Sequence, residues 1–154
     1  MITRAPQPLL RRTGFSLVEL LVVLIIGAIL TMLAVPAWQR HAERGWRMQA
    51  RAELVSAMLA LERHALVTLS FAATPGAKEP AGEWPRPVPP PPARAHHWLT
   101  ATSCEGIDLS RCVEVRAAPV RHDTRCGTLA LRSTGEWLSL PVPDGDAIPL
   151  PPEC

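Results

Sequence analysis

Between Phe15 and Val35 the only ionisable side chain is Glu19; every other position is apolar, small or hydroxylic. Wound as a helix, these 21 residues reach about 31 Å, close to the ~30 Å hydrocarbon core of a bilayer. The run ends at Pro36, which removes a helical hydrogen bond and kinks or loosens the helix there. Beyond it the pattern becomes periodic. Ala50, Leu54, Ala57, Leu61 and Ala65 recur at three and four residues and form one apolar stripe. Arg47, Arg51 and Glu62 are expected off that stripe, with Glu43 placed to pair with Arg47 one turn on. Gly45 weakens this half by up to ~1 kcal/mol. His41 and His64 have no partner visible in the sequence and read as surface or half-buried helix residues. The expectation is one helix from about Phe15 to Leu69, bent near Pro36.

Helix signals stop at Ala73. Eight prolines fall between residues 75 and 92, which predicts a stiff, partly polyproline II connector over 73–95, with Trp84 tucked against a small head built from the C-terminal part of the chain. A PxxP-type recognition role is the less economical reading of the same prolines. Alternation then returns. "HHWLTAT" at 96–102 is a weak strand. "CVEVRAA" places Val113 and Val115 inward and Glu114 and Arg116 outward. "CGTLALRSTGEWLSL" places Leu129 and Leu131 inward, with "STGE" at 133–136 as the turn of a hairpin. The tail "PVPDGDAIPLPPEC" reads as a proline-rich return, not a strand, with "DGDA" at 144–147 as a turn that lacks the further oxygen ligands of a calcium loop.

Composition narrows the class. The chain has 154 residues, enough for one domain. Its formal charge is +2, but Arg4, Arg11 and Arg12 precede the apolar run, and without them the balance falls to −1. No general attraction to nucleic acid follows. Residues 94–154 carry six Arg against eight Asp or Glu. Phosphate-driven DNA binding needs clustered positive charge, which only Arg116, Arg121, Arg125 and Arg132 can supply; solvated surface charge is the stronger reading. No Ser/His/Asp arrangement, nucleotide-binding glycine loop or supported carboxylate pair appears, so no catalytic residue is assigned and an enzyme is not expected. No cofactor is implied.

Glu19 decides among three readings of the apolar run. A cleaved secretory signal has a shorter apolar stretch, ~7–15 residues, although Val35 and Ala37 have the small size such a cut requires. It would leave a secreted or periplasmic binding protein, the alternative from a different class. A plain membrane anchor explains the length but not an acid that costs up to ~2.5–3.5 kcal/mol at mid-bilayer, less near an end. Arg11 and Arg12 favour a cytoplasmic N-terminus, while Arg40, Arg44, Arg47 and Arg51 on the other side leave the charge rule unclean.

The third reading rests on a family. "GFSLVELLVVLIIGAILTMLAVPAW" resembles the N-terminus of type IV prepilins and of the related pseudopilins of type II secretion. The resemblance implies a leader over 1–14 cut on the cytoplasmic side after Gly14 by prepilin peptidase, then N-methylation of Phe15. Before the cut residue 15 carries a neutral peptide nitrogen; afterwards it carries an ammonium, and a carboxylate in low dielectric needs a nearby cation. Glu19 is one helical turn from Phe15, and in the family the acid pairs with the N-terminus of a neighbouring subunit. Such a pair would also set axial register during assembly.

The resemblance further implies a type IV pilin fold of α+β class, with a long N-terminal helix packed on a small antiparallel sheet. The segments are a transmembrane and assembly helix over 15–37, an amphipathic continuation over 38–72, the proline-rich loop over 73–95 and a disulfide-bonded sheet head over 96–154. "RMQARAELVSAMLALERH" and "CGTLALRSTG" are similar to stretches of PilE-type minor pilins. The implied partners are other pilin subunits, prepilin peptidase, the inner-membrane assembly platform and membrane lipid. The implied location is the inner membrane with a periplasmic head, then an extracellular pilus; a type II secretion pseudopilin is the runner-up.

Cys104, Cys112, Cys126 and Cys154 come after the spanning segment, hence lie in an oxidising compartment where pairing is expected. Three connectivities are possible. A local Cys104–Cys112 loop and a Cys126–Cys154 tie are favoured, because an untethered tail would fray and many pilins close a C-terminal loop in this way. Loop closure assigns them about 2.5 and 3.5 kcal/mol. Metal binding with His96, His97 or His122 competes poorly, since the spacings lack the C-x2-C pattern of zinc sites.

Overall fold

The computed structural model describes residues 16–142 and 145–154, which fall into two units divided between Arg40 and His41. One helix, α1, runs from Leu17 to Thr68, within two residues of the expected ends. Pro36 lies inside it. Between Ser16 and Arg40 the side chains point outward and are exposed, and among the described residues nothing buries this apolar surface. Thr31 satisfies its hydroxyl within the helix, donating to Gly27 O and Ala28 O at 3.0 and 2.9 Å. The helix is long and apolar enough to cross a membrane. It closes at Leu69, a non-glycine residue at φ 59° whose N–H reaches Ala65 O at 2.8 Å.

In the second unit the helix covers one antiparallel sheet of six strands: β1 (Arg86–Val88), β2 (His97–Ser103), β3 (Val113–Pro119), β4 (Thr128–Arg132), β5 (Trp137–Leu140) and β6 (Ile148–Pro149). Each strand pairs with the next in sequence. The register sets Leu99 opposite Ala117, Val115 opposite Leu131 and Ala117 opposite Leu129, so the inward positions form continuous rows. Ala50, Leu54, Ala57 and Leu61 of the helix pack on those rows in one core with Val113, Val115 and Leu129. Phe71, Trp84 and Trp137 close its edges. The α+β arrangement expected of a type IV pilin fold is the one observed.

Several expectations are corrected. The proline-rich connector contains β1, with Val88 buried opposite His97. Its Pro87 is tolerated because β1 is an edge strand, where a missing N–H need not face a partner. The tail contributes β6, paired with β5 on the other edge, where Pro149 is allowed for the same reason. Arg47 is on the apolar stripe, not off it, and is buried. Its partner is Asp123 rather than Glu43. Ala65 is only half-buried. Glu114 does point to the outer face, yet it is only 2% exposed, because Arg116 and Arg132 fold over it.

The hairpin of β4 and β5 turns through Ser133–Thr134–Gly135, with Gly135 at φ 85° and Arg132 N donating to Glu136 O at 3.0 Å. A three-residue loop ending in a left-handed glycine is a favoured hairpin connection.

Candidate functional site

Gly14 and Phe15 lie outside the described residues. Glu19 occupies the first turn of α1 and is exposed. Unsatisfied N–H groups at a helix N-terminus carry roughly half a positive charge, which favours an acid in that turn. The carboxylate therefore sits at the end of the apolar segment where the backbone itself is least hostile to it. A full cation in the same place would add to this.

The cysteines lie in the second unit as two bridges, Cys104–Cys112 and Cys126–Cys154, with Cα separations of 5.5 and 5.6 Å. The first closes the β2–β3 connection. Inside it Asp108 accepts from the N–H and the hydroxyl of Ser110, and Leu109 drops into the core. Leu109 O in turn accepts Phe71 N–H at 2.9 Å, so this loop also holds the chain just beyond the helix. The second bridge joins the turn before β4 to the tail after β6. Ser139 Oγ of β5 donates to Cys126 O of that turn at 2.6 Å, and within it Gly127 N–H reaches Asp123 O at 2.9 Å.

Asp123 organises the same turn. Its oxygens accept Arg47 Nε at 2.6 Å and Nη2 at 3.0 Å, with the N–H groups of Arg125 and Cys126 at 3.0 and 3.2 Å. Partial burial pushes its carboxyl up, but Arg47 and the two N–H groups outweigh that and hold it below the usual carboxylate range. Beside it, Trp46 stacks on His96 with ring centroids 4.0 Å apart and planes 13° from parallel. His97 is buried, and its Nδ1 has no hydrogen-bond partner among the described residues. Burial lowers the His97 imidazole below its ordinary value; Asp123 opposes this, while His96 and Arg47 reinforce it.

The four arginines weighed for DNA do not act as one free patch. Arg116 and Arg132 reach Glu114 at 2.5 and 2.7 Å, and Arg132 also binds Glu136 at 2.8 Å. Arg121 and Arg125 are exposed on the segment after β3. Among the described residues no group of three His, Cys, Asp or Glu is placed to hold a metal ion.

Sequence reasoning missed the Arg47–Asp123 pair and the Trp46–His96 stack. A signal for Arg47 existed: it lies three and seven residues before Ala50 and Leu54, hence on their face of the helix. A charge on a buried stripe requires a partner, but 76 residues separate it from Asp123, and no local pattern spans that.

Residues 9–35 match the prokaryotic N-terminal methylation motif. No curated protein and no solved structure matches the chain at a significant level. The motif supports a type IV pilin-like or pseudopilin protein, a structural subunit in either case. With the apolar helix, it is consistent with anchoring in the inner membrane before assembly.

Proposed function

We propose that the chain is a minor type IV pilin, made as a prepilin, cut after Gly14 by prepilin peptidase and methylated at Phe15. The observation that carries the reading is the methylation motif over 9–35 with Glu19 in the first turn of an exposed apolar helix. Among the described residues nothing covers that apolar surface, and in this reading lipid then neighbouring subunits supply the cover in turn. In this reading Glu19 is held by the Phe15 ammonium of an adjacent subunit, and Pro36 is where the helix yields most easily during packing. The two bridges hold the small head together outside the cytoplasm. The PilE-like stretches favour a minor pilin. The methylation motif is common to pseudopilins, which keeps type II secretion as the second reading.

Mass spectrometry of the purified protein tests the processing step. The expected mature chain begins at N-methylated Phe15. A chain beginning near Trp38 would identify a secreted binding protein, and a retained leader in assembled material would remove the cation that the reading requires.

A further inference from the structure

A cleft of about 380 Å³ in the second unit has no part in the assembly reading. Glu43, Trp46 and Arg47 form its helix side. Residues 94–97, entering β2, and 119–123, leaving β3, form the other side. His96 N–H donates to Val88 O at 2.7 Å and Val120 N–H to His96 O at 2.9 Å, so the sheet itself fixes this wall.

The charges in the cleft do not balance. Arg47 and Asp123 neutralise each other, and Asp123 is further occupied by two backbone N–H groups. Arg94 and Arg121 are exposed and have no acidic partner among the described residues. Among the described residues, Glu43 is the one other acid in the lining. His96 and His122 add ring nitrogens, and His97, only 4% exposed with Nδ1 unpartnered, completes the back. The Trp46–His96 stack supplies a flat wall.

We propose that this cleft binds a phosphate group through the guanidinium forks of Arg94 and Arg121, with His96 and His122 as further donors and the Trp46–His96 wall against the stem that bears the phosphate. Two guanidinium forks suit an oxyanion with acceptors in several directions, and Arg matches phosphate bidentately. A phosphomonoester brings about −1.5 to −2 charges, enough to engage both arginines, whereas a lone carboxylate offers one flat face and one charge. The volume lies in the ~300–1,000 Å³ range of small-ligand clefts. The phosphate has two possible sources, a soluble phosphate compound or an anionic lipid headgroup.

Calorimetric titration of the full chain in neutral detergent micelles with inorganic pyrophosphate tests the proposal. Saturable binding is expected, weakened at least tenfold in the double variant Arg94→Gln/Arg121→Gln and unchanged in Arg111→Gln, an exposed arginine outside the cleft. Near-UV circular dichroism checks that the exposed substitutions leave the fold intact. Absence of binding, or equal losses in the double variant and Arg111→Gln, overturns the assignment. Repeating the titration in nanodiscs with and without phosphatidylglycerol separates the sources. Competition by the anionic lipid that depends on Arg94 and Arg121 assigns the headgroup; pyrophosphate binding indifferent to the lipid assigns a soluble ligand.

Discussion

Arg47 leaves the solvent because Asp123 meets it with two oxygens inside a turn that already directs two N–H groups at the same carboxylate. Breaking a buried pair costs ~3–5 kcal/mol when the survivor is stranded. Asp123 keeps its backbone donors, so Arg47→Met is expected to cost less, about 2–3 kcal/mol, in denaturant unfolding followed by tryptophan fluorescence. The neighbouring imidazole adds a pH dependence. His97 has a folded pKa below its unfolded value, so the unfolded chain binds its proton first and stability falls as pH drops below ~6.5. Asp123 is depressed as well; its contribution is present above ~3.9 and is lost as pH falls further through its folded value. Thermal midpoints should therefore decline between pH 7 and 5, and His97→Gln should flatten that limb while leaving the loss near pH 4 and below. An unchanged slope in the variant would assign the decline to other groups.

At the level of elements, legibility followed the range of the interactions. The helix, the β3 alternation and the β4–β5 hairpin were readable because each is dictated within a dozen residues: Val113 and Val115, Leu129 and Leu131, and a loop ending in Gly135. Strands β1 and β6 were not, since their prolines argue against a strand and only the neighbouring strand supplies the reason to extend. Glu114 was placed on the correct face but not seen to be buried, because its cover comes from Arg132 across the sheet. Glu19 stands out through a purely local pattern, whereas the cleft around Trp46 and His96 depends on contacts between distant segments. Glycine separates the two kinds of constraint. Gly135 and Gly127 both have positive φ, but a Cβ on Gly135 meets open space while one on Gly127 would lie 1.9 Å from Leu140 O. Gly135→Ala should cost only left-handed strain, ~1–2 kcal/mol. Gly127→Ala should cost clearly more, since the β5 backbone must move, and it should also raise proteolytic sensitivity around β6. Equal effects in thermal melts would refute the close approach.

For the whole molecule, the arginines after the apolar run explain why charge alone gave no clean orientation. Arg47 is committed to Asp123 and Arg51 lies 5.1 Å from the centre of the Trp137 ring, so both belong to the head. Only Arg40 and Arg44 remain to weigh against Arg4, Arg11 and Arg12. With the methylation motif, the exposed apolar surface of the helix is consistent with anchoring in the inner membrane before assembly. If that surface serves a pilus, deleting the chain should reduce the number of surface fibres. An allele carrying Glu19→Gln should fail to restore them even though the protein is still made, processed and inserted, because the substitution removes a charge and little volume. Secretion of folded proteins should be unaffected in both strains. The opposite pattern, normal fibres with lost secretion, would move the chain to the pseudopilins. Full complementation by Glu19→Gln would show that the acid has no part in polymerisation, whichever machine the subunit serves.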